Sequence, residues 1–441
     1  MTVIQTDIDL IDNFSTQFER AGIKQVKELS PVKNEALGNL RKLGLPNHKN
    51  EEYKYFNVLR KLRREYNFAL SDTSRHEADW ISSKLVKDEK GIHIVFINGV
   101  FSKQFSNFNT SHESLEFLDL NDVPAHRPDL LAIYLEQRQN INKDLYLDLN
   151  NAFLNAGFAI NITNQFLSGT IYIYHFITGG TTDVMVNNKG IIVLDQFSKA
   201  DIVEIFYSAT PDHYFHNYNS EIFVKEGSRL NYHVIQETGK DAVCINNTNV
   251  YQSGSSLVNT FTFSLRGKQL RNNLNVLLNQ ENCESHLYGL YYISENDQID
   301  NHTTVDHKKP NCFSNEYYKG IIDDNATGTF NGKIYVRPNA QKTNAFQSNK
   351  NLVLTDSASI NAKPQLEIWA DDVKCSHGAT TGQLDEEQLF YLRSRGLDKE
   401  SSKALLLHAF AFDIIEKVEL KSVRDYIGGK INLRLGYEFS D

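Results

Sequence analysis

At 441 residues, with 40% hydrophobic and 23% charged residues, the chain has the composition of a folded protein with a sizeable core, which excludes intrinsic disorder as its default state. A formal charge of −9 argues against a nucleic-acid-binding surface, which needs clustered positive charge to neutralise phosphates. No apolar run approaches the roughly 20 residues of a membrane span, and the opening MTVIQTDIDLIDNF lacks the basic and apolar regions of an export signal, so the expected address is the cytoplasm.

Residues 1–155 mix helical and strand-like patterns. DLIDNFSTQFERAG places Leu10, Ile11, Phe14 and Phe18 on one helical face, with Gly22 as the stop. GLPNHKNEEYKYFNVL reads as a Gly/Pro turn feeding an aromatic helix. The basic run Arg60–Arg64 lies in a helix-like stretch and reads as a solvated face. GIHIVFINGVFS (91–102) alternates as a strand and turns at Asn98-Gly99, a hairpin signal. RPDLLAIYLEQRQ then reads as a helix with Pro128 in its first turn.

From 156 to 380 helical periodicity gives way to short β-rich runs, such as TIYIYHFI, ADIVEIFYS and SLVNTFTFS, separated by polar turns. Aligning Ala200, Ser228, Ser255 and Cys283 gives steps of 28, 27 and 28 residues, and the period blurs after Cys312. A near-constant period carrying short strands predicts stacked β-coils, in which each coil buries its inward side chains only against its neighbours. A two-sheet sandwich is the alternative. Residues 381–441 revert to helix. Asp385 is the expected N-cap of one helix, which ends at Gly396, and Asp398 or Ser401 opens the next. There Leu405, Leu406, Ala409, Phe412 and Ile415 form an apolar face, suited either to capping the solenoid or to docking a partner.

The chemical candidates are few. P-loop, G-x-G-x-x-G and G-x-S-x-G patterns are all missing, so the chain shows no nucleotide site of its own. Four scattered cysteines, Cys244, Cys283, Cys312 and Cys375, do not have zinc-ribbon or disulfide-framework spacing; three of them read as small buried residues. In NHTTVDHKKPNC, His302, Asp306 and His307 read as turn and strand-end residues. DDVKCSHGATTG (371–382) differs. In a strand, Val373, Cys375 and His377 share one face and Lys374 and Ser376 the other, and Gly378 and Gly382 are expected to break the strand. Sulfur and imidazole nitrogen both bind zinc or iron–sulfur iron, but a cluster usually takes four protein ligands, so this pair is half a site.

Residues 300–415 carry a resemblance. DHKKPNCFSNEYYKGIIDDNATGTFNGKIYV, AQKTNAFQSNKNLVL, PQLEIWADDVKCSHGATTGQLDEEQLFYLRSRGL and ALLLHAFAFDII together resemble the SufB/SufD family of iron–sulfur cluster assembly proteins. GLPNHKNEEYKY and LDLNNAFLNAGFAINI are similar to earlier passages of that family, so the likeness runs in order from about residue 44 to 415. The wording CSHGAT is that of the SufD branch, whereas SufB has a Cys-Glu-His-Glu version. Tyr53 stands for the usual tryptophan and Asn344 for a common aspartate. The resemblance implies a right-handed parallel β-helix at 156–380, after an amino-terminal region at 1–155. It implies a helical domain at 381–441 that docks the ATPase SufC, through Ala404, Leu405, Leu406, Leu407, Phe410, Phe412 and Ile415. It further implies a heterodimer with SufB through the β-helices, with a possible homodimer when the chain is alone. Cys375 and His377 would lie at that interface, where a transient iron–sulfur cluster forms, and the chain itself would be no enzyme. A carbohydrate-active β-helix enzyme is the competing class, and a purely structural partner of SufB the third.

Overall fold

The computed structural model describes residues 5–47, 49–68, 77–107, 114–141, 144–163, 169–178, 183–208, 214–239 and 241–436. Helices α1 (Gln5–Arg20) and α2 (Ser30–Leu43) come first, then the short α3 (Leu59–Leu62) and α4 (Ala78–Lys84). Strands β1 (Ile92–Ile97), β2 (Val100–Phe101) and β3 (Leu115–Asp119) precede α5 (Val123–His126), α6 (Pro128–Gln137) and α7 (Leu145–Ala152). A long run of strands follows: β4 (Ala156–Ile162), β5 (Ile171–Ile177), β6 (Val184–Leu194), β7 (Lys199–Ser208), β8 (Tyr214–Val224), β9 (Arg229–Glu237), β10 (Val243–Gln252) and β11 (Leu257–Arg266). It continues through β12 (Gln269–Leu278), β13 (Glu284–Ile293), β14 (Gln298–His307), β15 (Phe313–Ile322), β16 (Thr327–Val336), β17 (Asn344–Val353), β18 (Ser359–Ile368) and β19 (Lys374–Gly382). Helices α8 (Glu386–Ser394), α9 (Lys399–Ile415) and α10 (Lys421–Leu435) complete the chain.

From β4 onward, successive strands alternate between two sheets. Odd-numbered strands β5 to β19 build one and even-numbered strands β4 to β18 the other, each in chain order with parallel neighbours. This is a parallel β-solenoid, one strand of each sheet per coil, and not a sandwich of antiparallel hairpins. The residue before each odd strand marks the repeat: Ser198, Ser228, Ser256, Cys283, Cys312 and Thr343, all buried. Ser228 and Cys283 are correct anchors, but Ala200 pairs with Leu230 and Ser255 falls one position early. The true steps run from 27 to 31 residues, because the corner turns differ in length. Hydroxyls and thiols at these corners bond turn carbonyls: Ser228 Oγ donates to Asp195 O at 2.6 Å, Cys283 Sγ to Ser253 O at 3.2 Å, and Thr343 Oγ1 to Ala340 O at 2.8 Å. Small polar residues recur there because each satisfies a buried carbonyl.

Both outer faces are covered over much of their length, so a strand such as β5 (IYIYHFI) reads as a nearly continuous apolar run rather than an alternating one. On the even sheet, α2 and α6 bring Val32, Leu130, Leu131 and Tyr134 against Ile191, Val193, Phe223 and Tyr251. Nearby, α1 and α7 bring Phe14, Phe18 and Leu149 against Met185, Phe215 and Ile245. Between these patches run asparagine columns, Asn217–Asn247–Asn273 and Asn219–Asn249–Asn275, whose amides bond from coil to coil at 2.6 to 3.4 Å. The segment expected to feed an aromatic helix instead forms a single tight turn at Glu51–Tyr53. That turn straps the even sheet: Glu52 pairs with Lys333, Glu51 with Lys363, and the Arg271 guanidinium lies 4.9 Å from the centre of the Tyr53 ring.

On the odd sheet, α9 and α10 set Leu407, Ala411, Ile414, Val423 and Ile427 against Phe176, Ile205, Phe263 and Leu290. The carboxyl-terminal helices therefore lie along the side of the solenoid, which overturns the capping reading. The two ends of the solenoid are unlike. At its start β2 and β3 turn antiparallel, with Asn98 and Gly99 at positive φ in the expected hairpin. Phe101 and Phe117 close that end over Phe96 and Phe158, whose rings stack at 5.0 Å. At its finish β18 and β19 are edge strands in their sheets, with mostly exposed or half-buried residues.

Candidate functional site at the open end of the solenoid

Strand β19 pairs in parallel with β17 alone, matching Ala345 to Cys375 and Gln347 to His377. It runs on through Gly378, which does not break it as the sequence reading expected, and ends at Gly382. A Cβ on either would meet nothing, and the ladder with β17 holds the backbone straight. Strand alternation operates as expected: Cys375 and Val373 pack against the solenoid interior. Cys375 is half-buried and His377 exposed. A rise of about 3.3 Å per residue sets their Cα atoms about 7 Å apart, with both side chains on one face.

Directly beneath His377 in the ladder lies Gln347, and beneath that Glu316. Gln347 Nε2 donates to Glu316 at 2.6 Å, and burial pushes the Glu316 carboxyl up to about 7. Thus His377 forms the outer end of a polar column running inward, while Cys375 lies over Ala345. At the end of β18 and just beyond it, Ile368 is 40% and Trp369 48% exposed, large apolar side chains left uncovered on the last coil. Burial pushes the Cys375 thiol up from its ordinary value, partly opposed by the Ala345 backbone.

The other candidates do not join the pair. Among the described residues no group of three or more His, Cys, Asp or Glu side chains is placed to hold a metal ion. Cys244 lies inside the even sheet, its thiol pushed up to about 12 by burial, while Cys283 and Cys312 occupy adjacent corners. Asp306 and His307 end β14, in keeping with the strand-end reading, whereas His302 lies inside the strand and not in a turn. His302 faces out onto Asp300 at 2.9 Å and Glu52 at 3.5 Å, and Asp306 pairs with Arg337 at 2.7 Å. His307 faces in, 2.9 Å from Ser314 Oγ, and burial pushes it down to about 3.

Of the apolar positions named on α9, Ala404, Leu407 and Ile415 are buried, the last two against the odd sheet. Leu405, Leu406 and Phe410 are half-buried and Phe412 is 39% exposed. Sequence reasoning missed Phe390 and Tyr391 on α8, which are 72% and 55% exposed. An aromatic pair inside a helix capped by Asp385 was the available signal.

By its fold the chain is a helix-flanked parallel β-solenoid with one closed and one open end, the open end carrying Cys375 and His377. Its residues 176–410 match the family described as SUF system FeS cluster assembly, SufBD core domain, and residues 4–169 match the SufBD protein N-terminal region. It is 30% identical to an iron–sulfur cluster assembly SufBD family protein of Synechocystis over 88% of this chain and 86% of that one. It is 28% identical to the iron–sulfur cluster assembly protein SufD of Escherichia coli over 95% of each. The chain belongs to the SufBD family of iron–sulfur cluster assembly proteins.

Proposed function

We propose that this chain is the SufD-type subunit of a cytoplasmic assembly complex, joined through its open end to a SufB-type paralogue and through its carboxyl-terminal helices to a SufC-type ATPase. One observation carries the reading: the last coil leaves β18 and β19 as edge strands and sets Cys375 and His377 on the exposed rim. Edge strands with free N–H and C=O groups are templates for pairing with another chain. A partner seated there brings its own ligands to the half-site, and the nascent cluster is cargo shared across the interface. His377 is the more accessible ligand. Cys375 contributes once its thiol loses its proton, which iron at the interface favours.

ATP chemistry belongs to the partner. Closure of two ATPase copies draws the docking helices together, shifts the solenoid interface and opens the rim to iron and sulfide. The chain is then a scaffold, not an enzyme. Co-expression with SufB-type and SufC-type chains, followed by native mass measurement and iron and sulfide analysis, tests this. The His377→Ala complex should keep its mass and lose most of its iron and sulfide. Unchanged loading sinks the ligand assignment and leaves the purely structural partner as the reading.

A further inference from the structure

A cleft of about 310 Å³ opens between the loop before α2, the turn before α5 and the first coil of the even sheet. Val26, Leu29, Val32, Leu120 and Leu154 supply its apolar wall, interleaved with polar groups that include Lys24, Lys33, Asn34 and Asn151. One further lining residue is out of character. Lys189, on β6, is 1% exposed, and its Nζ donates to Tyr134 Oη and Asn151 Oδ1, both at 2.8 Å. The Tyr134 ring centre lies 4.3 Å from the same ammonium. Among the described residues no carboxylate lies within ion-pairing distance of it. Glu221 acts on it from further off, its own oxygens taken by Asn219, Asn249 and Tyr251.

An ammonium removed from water without a counter-ion is costly, and proteins avoid it unless the charge has a use. Burial accordingly pushes Lys189 down to about 8, which leaves it mostly protonated at neutral pH. A concave site that combines apolar surface with convergent polar groups is the usual build of a small-molecule pocket.

We propose that this cleft binds a small organic anion, a carboxylate or sulfonate on a short apolar body, whose head group pairs with Lys189 and whose body lies against Val26, Leu29 and Leu154. The site is separate from the rim that carries Cys375 and His377 and does not depend on the function proposed for it.

Titration calorimetry of the full chain with hexanoate, hexane-1-sulfonate and neutral hexanamide tests the idea. At least one of the anions binds saturably at one site and raises the melting temperature, while hexanamide binds at least about tenfold more weakly than that anion or not at all. Lys189→Met weakens anion binding by about tenfold or more, the range of a lost charged hydrogen bond. Val26→Trp fills the mouth from a half-exposed position without touching the lysine; with an unchanged circular dichroism spectrum it abolishes binding. Absence of saturable binding of either anion to the intact chain, equal affinity for hexanamide, or undiminished binding by either folded variant overturns the proposal.

Discussion

Glu204 sits wholly buried inside the solenoid, its two oxygens accepting from Tyr218 and Tyr232 at 2.7 Å each. Desolvation outweighs both hydrogen bonds and pushes the carboxyl up to about 7 from 4.5. A folded-state value raised above the unfolded one stabilises the fold fully below pH 4.5, and that contribution is lost as pH rises through 7. Glu204→Gln should therefore show a smaller loss of stability than the wild type between pH 5.5 and 8.5, read by urea unfolding at both pH values. Arg271 is the opposite case, a buried cation paired with Asp300 at 2.6 Å and covered by Tyr53. Arg271→Met leaves the buried Asp300 carboxylate with His302 as its remaining ion partner, and the chemical-denaturation midpoint should fall by an amount equivalent to about 3 kcal/mol. At this scale the sequence was legible where one side chain carries distinctive chemistry: Cys375 and His377 stood out because a thiol and an imidazole two apart on a strand share a face. Arg271, Glu204 and Lys189 were not, because an isolated ionisable residue looks solvated until the elements that bury it are in place.

Helix α9 shows what periodicity can and cannot settle. Its apolar residues encircle it, so the sequence alone offers several faces, and the one named, through Leu405, Leu406, Ala409, Phe412 and Ile415, mixes exposed and half-buried positions with the buried Ile415. The inward face runs through Ala404, Leu407, Ala411, Ile414 and Ile415. The two faces separate in experiment. Leu407→Ala should cost about 2–5 kcal/mol in unfolding measurements, as a cavity under a packed helix does. Phe412→Asp should leave stability nearly unchanged and abolish co-purification with a SufC-type ATPase; retained co-purification moves the docking surface to Phe390 and Tyr391 on α8. The caps were plain in advance, since Asp385 and Asp398 accept backbone N–H groups at the predicted helix starts. Strand ends were harder: glycine in β19 suggested a break, yet a neighbour in register supplies what the residue lacks in intrinsic preference.

The whole molecule is asymmetric along its axis, plugged by aromatic rings at its start and open at β18 and β19. Lys374 N–H bonds Thr343 O, so strand alternation turns the N–H of Ala379 away from β17. Ala379→Pro removes one outward donor and leaves the internal ladder intact. Its expected outcome is a folded chain that no longer forms a dimer with a SufB-type partner, read by analytical ultracentrifugation; normal dimerisation would place the interface elsewhere. The sequence by itself determined that the middle of this chain is stacked β-coils and that one strand carries a Cys–His pair, because both are local patterns set by side-chain chemistry and spacing. Only the tertiary structure decided that the carboxyl-terminal helices lie along the side, that the last coil is bare, and that a lysine is entombed beside a cleft. Those depend on which surfaces meet across long stretches of chain, and burial is a property of the meeting, not of the residue.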